Sequence, residues 1–92
     1  MTVATFLKIY VDKIYDVNEF YGVQFSDTNS DTYMLTEPTP INADYYEICL
    51  LTPCDAVCMC IDRQDKKAAY NTIYDTVHKL VDTPSVSVNW IE

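Results

Sequence analysis

Near the end of the chain, Val86-Ser87-Val88-Asn89-Trp90 alternates strictly between apolar and polar residues. Side chains of an extended strand point to opposite faces in turn, so this segment has one covered face and one open face. A sheet of such strands needs a layer of helices on one side only. Two segments can supply that layer. Val3, Phe6, Leu7, Tyr10, Val11 and Ile14 recur at the three- and four-residue steps of one helix face, predicting a helix over residues 3–15 capped by Thr2 or Thr5. Ala69, Tyr70, Ile73, Tyr74, Val77, Leu80 and Val81 repeat the pattern in a second helix, opened by Asp62 or Asp65 and ended before Pro84.

The remaining apolar runs read as strands. Tyr45 to Leu51 and Ala56 to Ile61 flank the turn Thr52-Pro53-Cys54-Asp55, which sets Leu51 opposite Ala56, Cys49 opposite Cys58 and Glu47 opposite Cys60. Phe20 to Phe25 and Thr32 to Thr36 are shorter and flank a turn-forming stretch, Ser26 to Asp31. Glu37-Pro38-Thr39-Pro40 is expected to block any ladder and to run as an extended connector. The covered face would carry Tyr21, Val23, Phe25, Tyr33, Leu35, Tyr46, Ile48, Leu50, Val57, Met59 and Ile61. The expected fold is a two-layer α+β domain over residues 1–92, with an antiparallel sheet of about five strands under two helices, in the order α-β-β-β-β-α-β. Eight tyrosines fit a small core roofed by amphipathic rings.

Charge constrains the partners. From Ile14 to Asp62 there is no lysine or arginine, yet nine carboxylates fall in the stretch, and the whole chain carries a formal charge of −8. Such a surface repels nucleic acid and anionic membrane. No apolar run is long enough to span a bilayer, and the first fifteen residues, interrupted by Lys8, Asp12 and Lys13, do not form a secretory signal. The expected location is the cytoplasm, the host's if a phage encodes the chain. There, Cys49, Cys54, Cys58 and Cys60 would be free thiols.

Several residue groups suggest chemistry and are better explained as structure. Cys54-x-x-x-Cys58 has a metal-pair spacing, and Cys49, Cys54, Cys58 and Cys60 form the alternative reading of a small metal or redox module. Against it, Cys58 and Cys60 lie two apart on a straight strand; a Cys49–Cys58 disulfide fits the register but needs an oxidising setting. Asp27-x-Asn29-x-Asp31 opens like a calcium loop, then places Thr32 where a glycine is required and Pro38 where a bidentate glutamate is required. His78, with Asp75 and Asp82 nearby, reads as a surface ion pair. With Gly22 the single glycine, no phosphate-cradling loop is present, and no nucleophile elbow or metalloprotease motif appears. No enzyme and no cofactor are expected.

These features favour a non-enzymatic binding protein, monomer or homodimer, that blocks a basic surface on another protein, most simply one that handles nucleic acid. In size, charge and lack of catalytic motifs the chain resembles the small inhibitors that phages and mobile elements direct at host defence, such as anti-CRISPR, anti-restriction and uracil-glycosylase inhibitor proteins. That resemblance implies carboxylates held on a rigid sheet in imitation of phosphates. The candidate contacts are Asp16, Glu19, Asp27, Asp31, Glu37, Asp44, Glu47 and Asp55, with Tyr45 beside them. A further alternative is a structural domain that dimerises through its open face.

Overall fold

The computed structural model describes residues 1–91. Its elements run α1 (Val3–Tyr15), β1 (Gly22–Ser26), β2 (Thr32–Leu35), β3 (Thr39–Pro40), β4 (Tyr45–Leu51), β5 (Ala56–Asp62), α2 (Lys66–Leu80) and β6 (Ser87–Ile91). The α+β reading holds, with one short strand more than expected. All strand pairs are antiparallel.

The extra strand corrects the reading of Glu37-Pro38-Thr39-Pro40. Thr39 pairs with Glu47 and Pro40 with Tyr46, on the same edge of β4 that pairs Leu35 with Leu50. Strands β2 and β3 therefore lie end to end along β4, and the lanes of the sheet run β5, β4, β2 with β3, β1, β6. Between the two paired segments, Thr36, Glu37 and Pro38 stand opposite only Ile48 and Cys49. One residue more on one strand is a β-bulge, and it reverses which side chains face inward. Tyr33 and Leu35 are buried; simple alternation would put Glu37 inside as well, but the bulge swings it out and buries Pro38 instead. A proline tolerates this break because its missing N–H is not required there. The ladder resumes through the Ile41 amide, which donates to the Tyr45 carbonyl at 3.0 Å.

The helices cover one face. Thr2 caps α1 by accepting the Thr5 amide at 3.1 Å, and Asp65 caps α2 by accepting the Ala68 amide at 3.1 Å. Phe6, Leu7, Tyr10 and Val11 from α1 and Ala69, Ile73 and Val77 from α2 join Val23, Phe25, Leu35, Ile48, Leu50 and Ile61 in one buried cluster. Each large apolar side chain so buried contributes roughly 1.5–3 kcal/mol relative to exposure. The Phe6 ring sits 4.9 Å from Phe25 and 5.9 Å from Trp90, so α1 lies over the β1–β6 side. Val88 and Trp90 are half-buried, because β6 is an edge strand.

The tyrosines serve as a roof. Tyr10 is wholly buried with its hydroxyl donating to the Thr36 carbonyl at 3.0 Å, while Tyr15, Tyr46, Tyr70 and Tyr74 are half-buried against the core. Among the described residues, no helix is long and apolar enough to cross a membrane.

Candidate interaction surface and thiol cluster

Backbone geometry distributes the candidate acidic contacts over two ends of the sheet. Strand β4 runs from the turn holding Asp44 to the turn holding Asp55, and seven residues at about 3.3 Å each separate these turns by roughly 20 Å. Asp55 shares its end with Asp27 and Asp31, because β2 begins where β4 finishes: Met34 is opposite Leu51. At the other end lie Asp44 and Tyr45, with Asp16 and Glu19 in the connection that follows α1. Midway along β4, Glu47 stands on the open face opposite Cys60 on β5, and the bulge turns Glu37 out to the same face beside Met34 and Thr36. The expectation of one acidic plate on the sheet is thereby corrected. Strand side chains alternate between the core and the open face, so most of these acids collect in turns, where no core excludes them.

Several of these carboxylates also hold the local backbone. The Asp27 Oδ1 accepts the amides of Asn29 and Asp31, both at 3.0 Å, which makes this stretch a hairpin turn and not a cation loop. Ser30 completes the turn with a φ of 65°. Asp55 accepts the Ala56 amide at 2.7 Å, and Glu19 accepts the Tyr21 hydroxyl at 2.6 Å. The Asp44–Tyr45 backbone is fixed by Asn42, whose side-chain oxygen accepts both amides at 2.8 and 2.9 Å. Tyr45 itself is exposed at the start of β4.

Counter-charges are scarce. Among the described residues, the ion pairs are those of Lys66 with Asp12, at 2.6 Å, and with Asp16. These contacts raise the Lys66 pKa, chiefly through the hydrogen bonds to Asp12 and Asp16. Lys13 lies over the rings of Tyr21 and Trp90, at 4.9 and 5.2 Å, and Arg63 lies over Tyr46 at 4.7 Å. His78 forms no ion pair among the described residues; its ring packs 3.9 Å from that of Tyr74, one turn earlier, which corrects the ion-pair reading.

One feature escaped the sequence reading. Lys8, Lys66 and Lys67 gather with Val11, Asp12 and Tyr70 around a groove of about 500 Å³ between the helices. Half of the chain's bases therefore sit on the helical side, away from the open face. The steps Lys8–Val11–Asp12 and Lys66–Lys67–Tyr70 each mark one helix face, but nothing in the sequence says that those two faces meet.

The cysteines depart from the expectation of four free thiols. Cys49 and Cys58 form a disulfide across β4 and β5, with Cα atoms 4.0 Å apart. The reason is the type of pair. The Cys49 carbonyl accepts the Thr36 amide at 3.0 Å and the Cys49 amide donates to the Thr36 hydroxyl at 2.9 Å, so both polar groups point away from β5. Cys49 and Cys58 are then a narrow, non-hydrogen-bonded pair, whose side chains approach most closely. Cys54, in the turn, and Cys60, on β5, are free and exposed. The ligand atoms of Glu47, Cys49 and Cys58 lie within 4.8 Å of one another. Neither Cys54 nor Cys60 belongs to this group; Cys54 lies in the turn beyond the strands, whereas Cys60 stands across β5 from Glu47, so the four-cysteine metal reading does not hold as a set.

Comparison with protein-family models, with curated proteins and with solved structures finds no match to this chain.

Proposed function

We propose that this protein is a small non-enzymatic binder that occupies and blocks a basic surface on another protein, in the manner of acidic inhibitors that imitate nucleic acid. The observation that supports this reading is the separation of charge. Glu19, Asp27, Asp31, Glu37, Asp44, Glu47 and Asp55 have no basic partner among the described residues, while three of the bases gather in the groove between the helices. Two groups of acids roughly 20 Å apart, with Glu37 and Glu47 between them, span the distance over which a basic groove grips several phosphates of a duplex. Uncompensated charges at exposed turns cost little to bring against a cationic partner and speed its capture.

The test is competition. A tagged chain is used to capture its partner from the native cytoplasm; the captured protein is then challenged with rising salt, with duplex DNA, and with a chain carrying D31N, E37Q, D44N and D55N. The expected outcome is release by salt and by duplex, and at least a tenfold weaker grip for the neutralised chain, since exposed charges are screened within about 8 Å at physiological ionic strength. A captured protein that ignores all three challenges refutes the proposal.

A further inference from the structure

The register of β4 against β5 sets four chemically related side chains on one square of the open face. Glu47 and Cys49 stand two apart on β4; Cys60 and Cys58 stand directly across from them on β5. Because Cys49 turns its amide and carbonyl toward Thr36, the Cys49–Cys58 pair is narrow, and the two-residue period makes Glu47–Cys60 narrow as well. All four side chains therefore project the same way from closely spaced Cβ atoms. The Cys49 sulfur lies 4.0 Å from the Glu47 Oε1, and the ligand atoms of Glu47, Cys49 and Cys58 all fall within 4.8 Å of each other; the Cys60 sulfur is outside that group and would join it by rotating about its Cα–Cβ bond from its place opposite Glu47.

We infer that reduction of the Cys49–Cys58 bond converts this square into a binding site for one zinc-class divalent cation, held by Cys49, Cys58 and Glu47, with Cys60 as the fourth ligand. Zinc takes thiolate sulfur at about 2.3 Å and carboxylate oxygen at about 2.0–2.2 Å in tetrahedral geometry, which sets neighbouring donors about 3.5–3.8 Å apart; once reduced, the Cys49 and Cys58 sulfurs part from bonding distance to reach that spacing, and the Glu47 oxygen closes in slightly. Thiolates select this class over calcium and magnesium, which prefer oxygen alone. A chain of formal charge −8 draws cations to its surface.

The chemistry balances with a dithiol as the reductant. The bond between the two sulfurs breaks, the two hydrogens of the reductant end on Cys49 and Cys58, and the reductant closes into its own ring disulfide. The arriving cation then displaces the thiol protons into the buffer. While the disulfide is intact, both sulfurs are committed to each other and only Glu47 and Cys60 remain as ligands. The site is therefore gated by redox state.

The experiment uses the full chain, reduced with dithiothreitol, freed of it under argon, and titrated with Cd²⁺ while its thiolate-to-metal ultraviolet band is followed; Zn²⁺ is then added as competitor. One ion per reduced chain is expected, displaced by Zn²⁺, and no saturable binding by the oxidised chain. Glu47→Gln and Cys60→Ser should each raise the dissociation constant by about tenfold or more, the scale on which even ligand-supporting residues act. Cys54→Ser should leave it unchanged. An unfolded chain would bind through any of its thiols, so a Cys54→Ser chain weakened as much as Cys60→Ser overturns the assignment. So does equal binding by the oxidised chain, an indifference to Glu47→Gln, or no saturable binding by the reduced chain.

Discussion

The Asp27 carboxylate accepts two backbone amides through one oxygen, and its other oxygen lies 3.3 Å from the Tyr33 hydroxyl, which donates to it. Asp31, four residues on, points an exposed side chain into solvent. Both were candidates for partner contact, but only one is fastened into the fold. Asp27→Ala leaves two turn amides without their acceptor and should cost about 1–2 kcal/mol, read as a lower urea midpoint at unchanged slope. Asp31→Ala should stay within about 0.5 kcal/mol of the parent. If the two variants unfold alike, the turn does not rely on the Asp27 carboxylate. The tyrosines supply a second prediction. Tyr15 is pushed up to about 12, first by burial and then by the negative charge of Asp62, whose carbonyl its hydroxyl also meets. Burial is also the largest cause raising Tyr10, Tyr33 and Tyr70. A phenol whose folded pKa exceeds its unfolded value, near 10, contributes stability that is whole below about pH 10 and declines as the pH rises toward 12. The melting temperature should therefore fall over that window in step with tyrosinate absorbance, and Tyr15→Phe should flatten part of the fall. A melting temperature level across the window would contradict it.

Among the elements, the β4–β5 hairpin holds together both the longest ladder and the disulfide. The bridge closes a short loop, with nine residues of sequence separation. Chain-entropy arguments give such a loop up to about 3 kcal/mol of stabilisation, less where the hairpin is already formed in the unfolded chain. The core lies on the opposite face of these strands, with Ile48, Leu50, Met59 and Ile61 buried against the helices. Reduction should thus lower the melting temperature by several degrees while leaving the far-ultraviolet dichroism of the folded chain intact. Loss of structure on reduction at room temperature would mean that the hairpin depends on its crosslink. The bulge at Glu37 is the other element-scale device. It lets one interrupted lane, β2 with β3, present Tyr33 and Leu35 to the core and still expose a glutamate two residues later.

For the molecule as a whole, the formal charge of −8 is spread over a body 38 Å in its longest dimension. At about 0.01 M salt the screening length is roughly 30 Å, so nearly every carboxylate repels every other; at about 0.15 M it is roughly 8 Å and only neighbours interact. With few ion pairs to lose, salt should stabilise the fold. The melting temperature is expected to rise between those two concentrations at constant pH. A fall would reveal attractive charge networks outweighing the repulsion. The same screening weakens the proposed contact with a basic partner, so salt should raise stability and lower affinity together.

Periodicity indicated both helices, the hairpin register and the covered face, but it misplaced Leu80, which ends α2 exposed because the helix stops there and Val81 turns inward in its place. Alternation of Val86 to Trp90 and the three- and four-residue steps of α1 and α2 report which side chains leave water, and burial is a property the local sequence carries. The pairing of Cys49 with Cys58 and of Glu47 with Cys60 was readable for the same reason, since a short turn leaves few registers open. What required the tertiary structure were the facts that depend on two distant segments. The sequence does not reveal that β2 and β3 share one edge of β4, that a bulge turns Glu37 outward, or that Lys66 reaches back to Asp12 and Asp16. Nor does it reveal that Thr36 claims both polar groups of Cys49 and so narrows the gap to Cys58. The acids were identified one by one from the chain, but their division between two ends follows from strand order, which is fixed by how the whole sheet closes its core and not by any single segment.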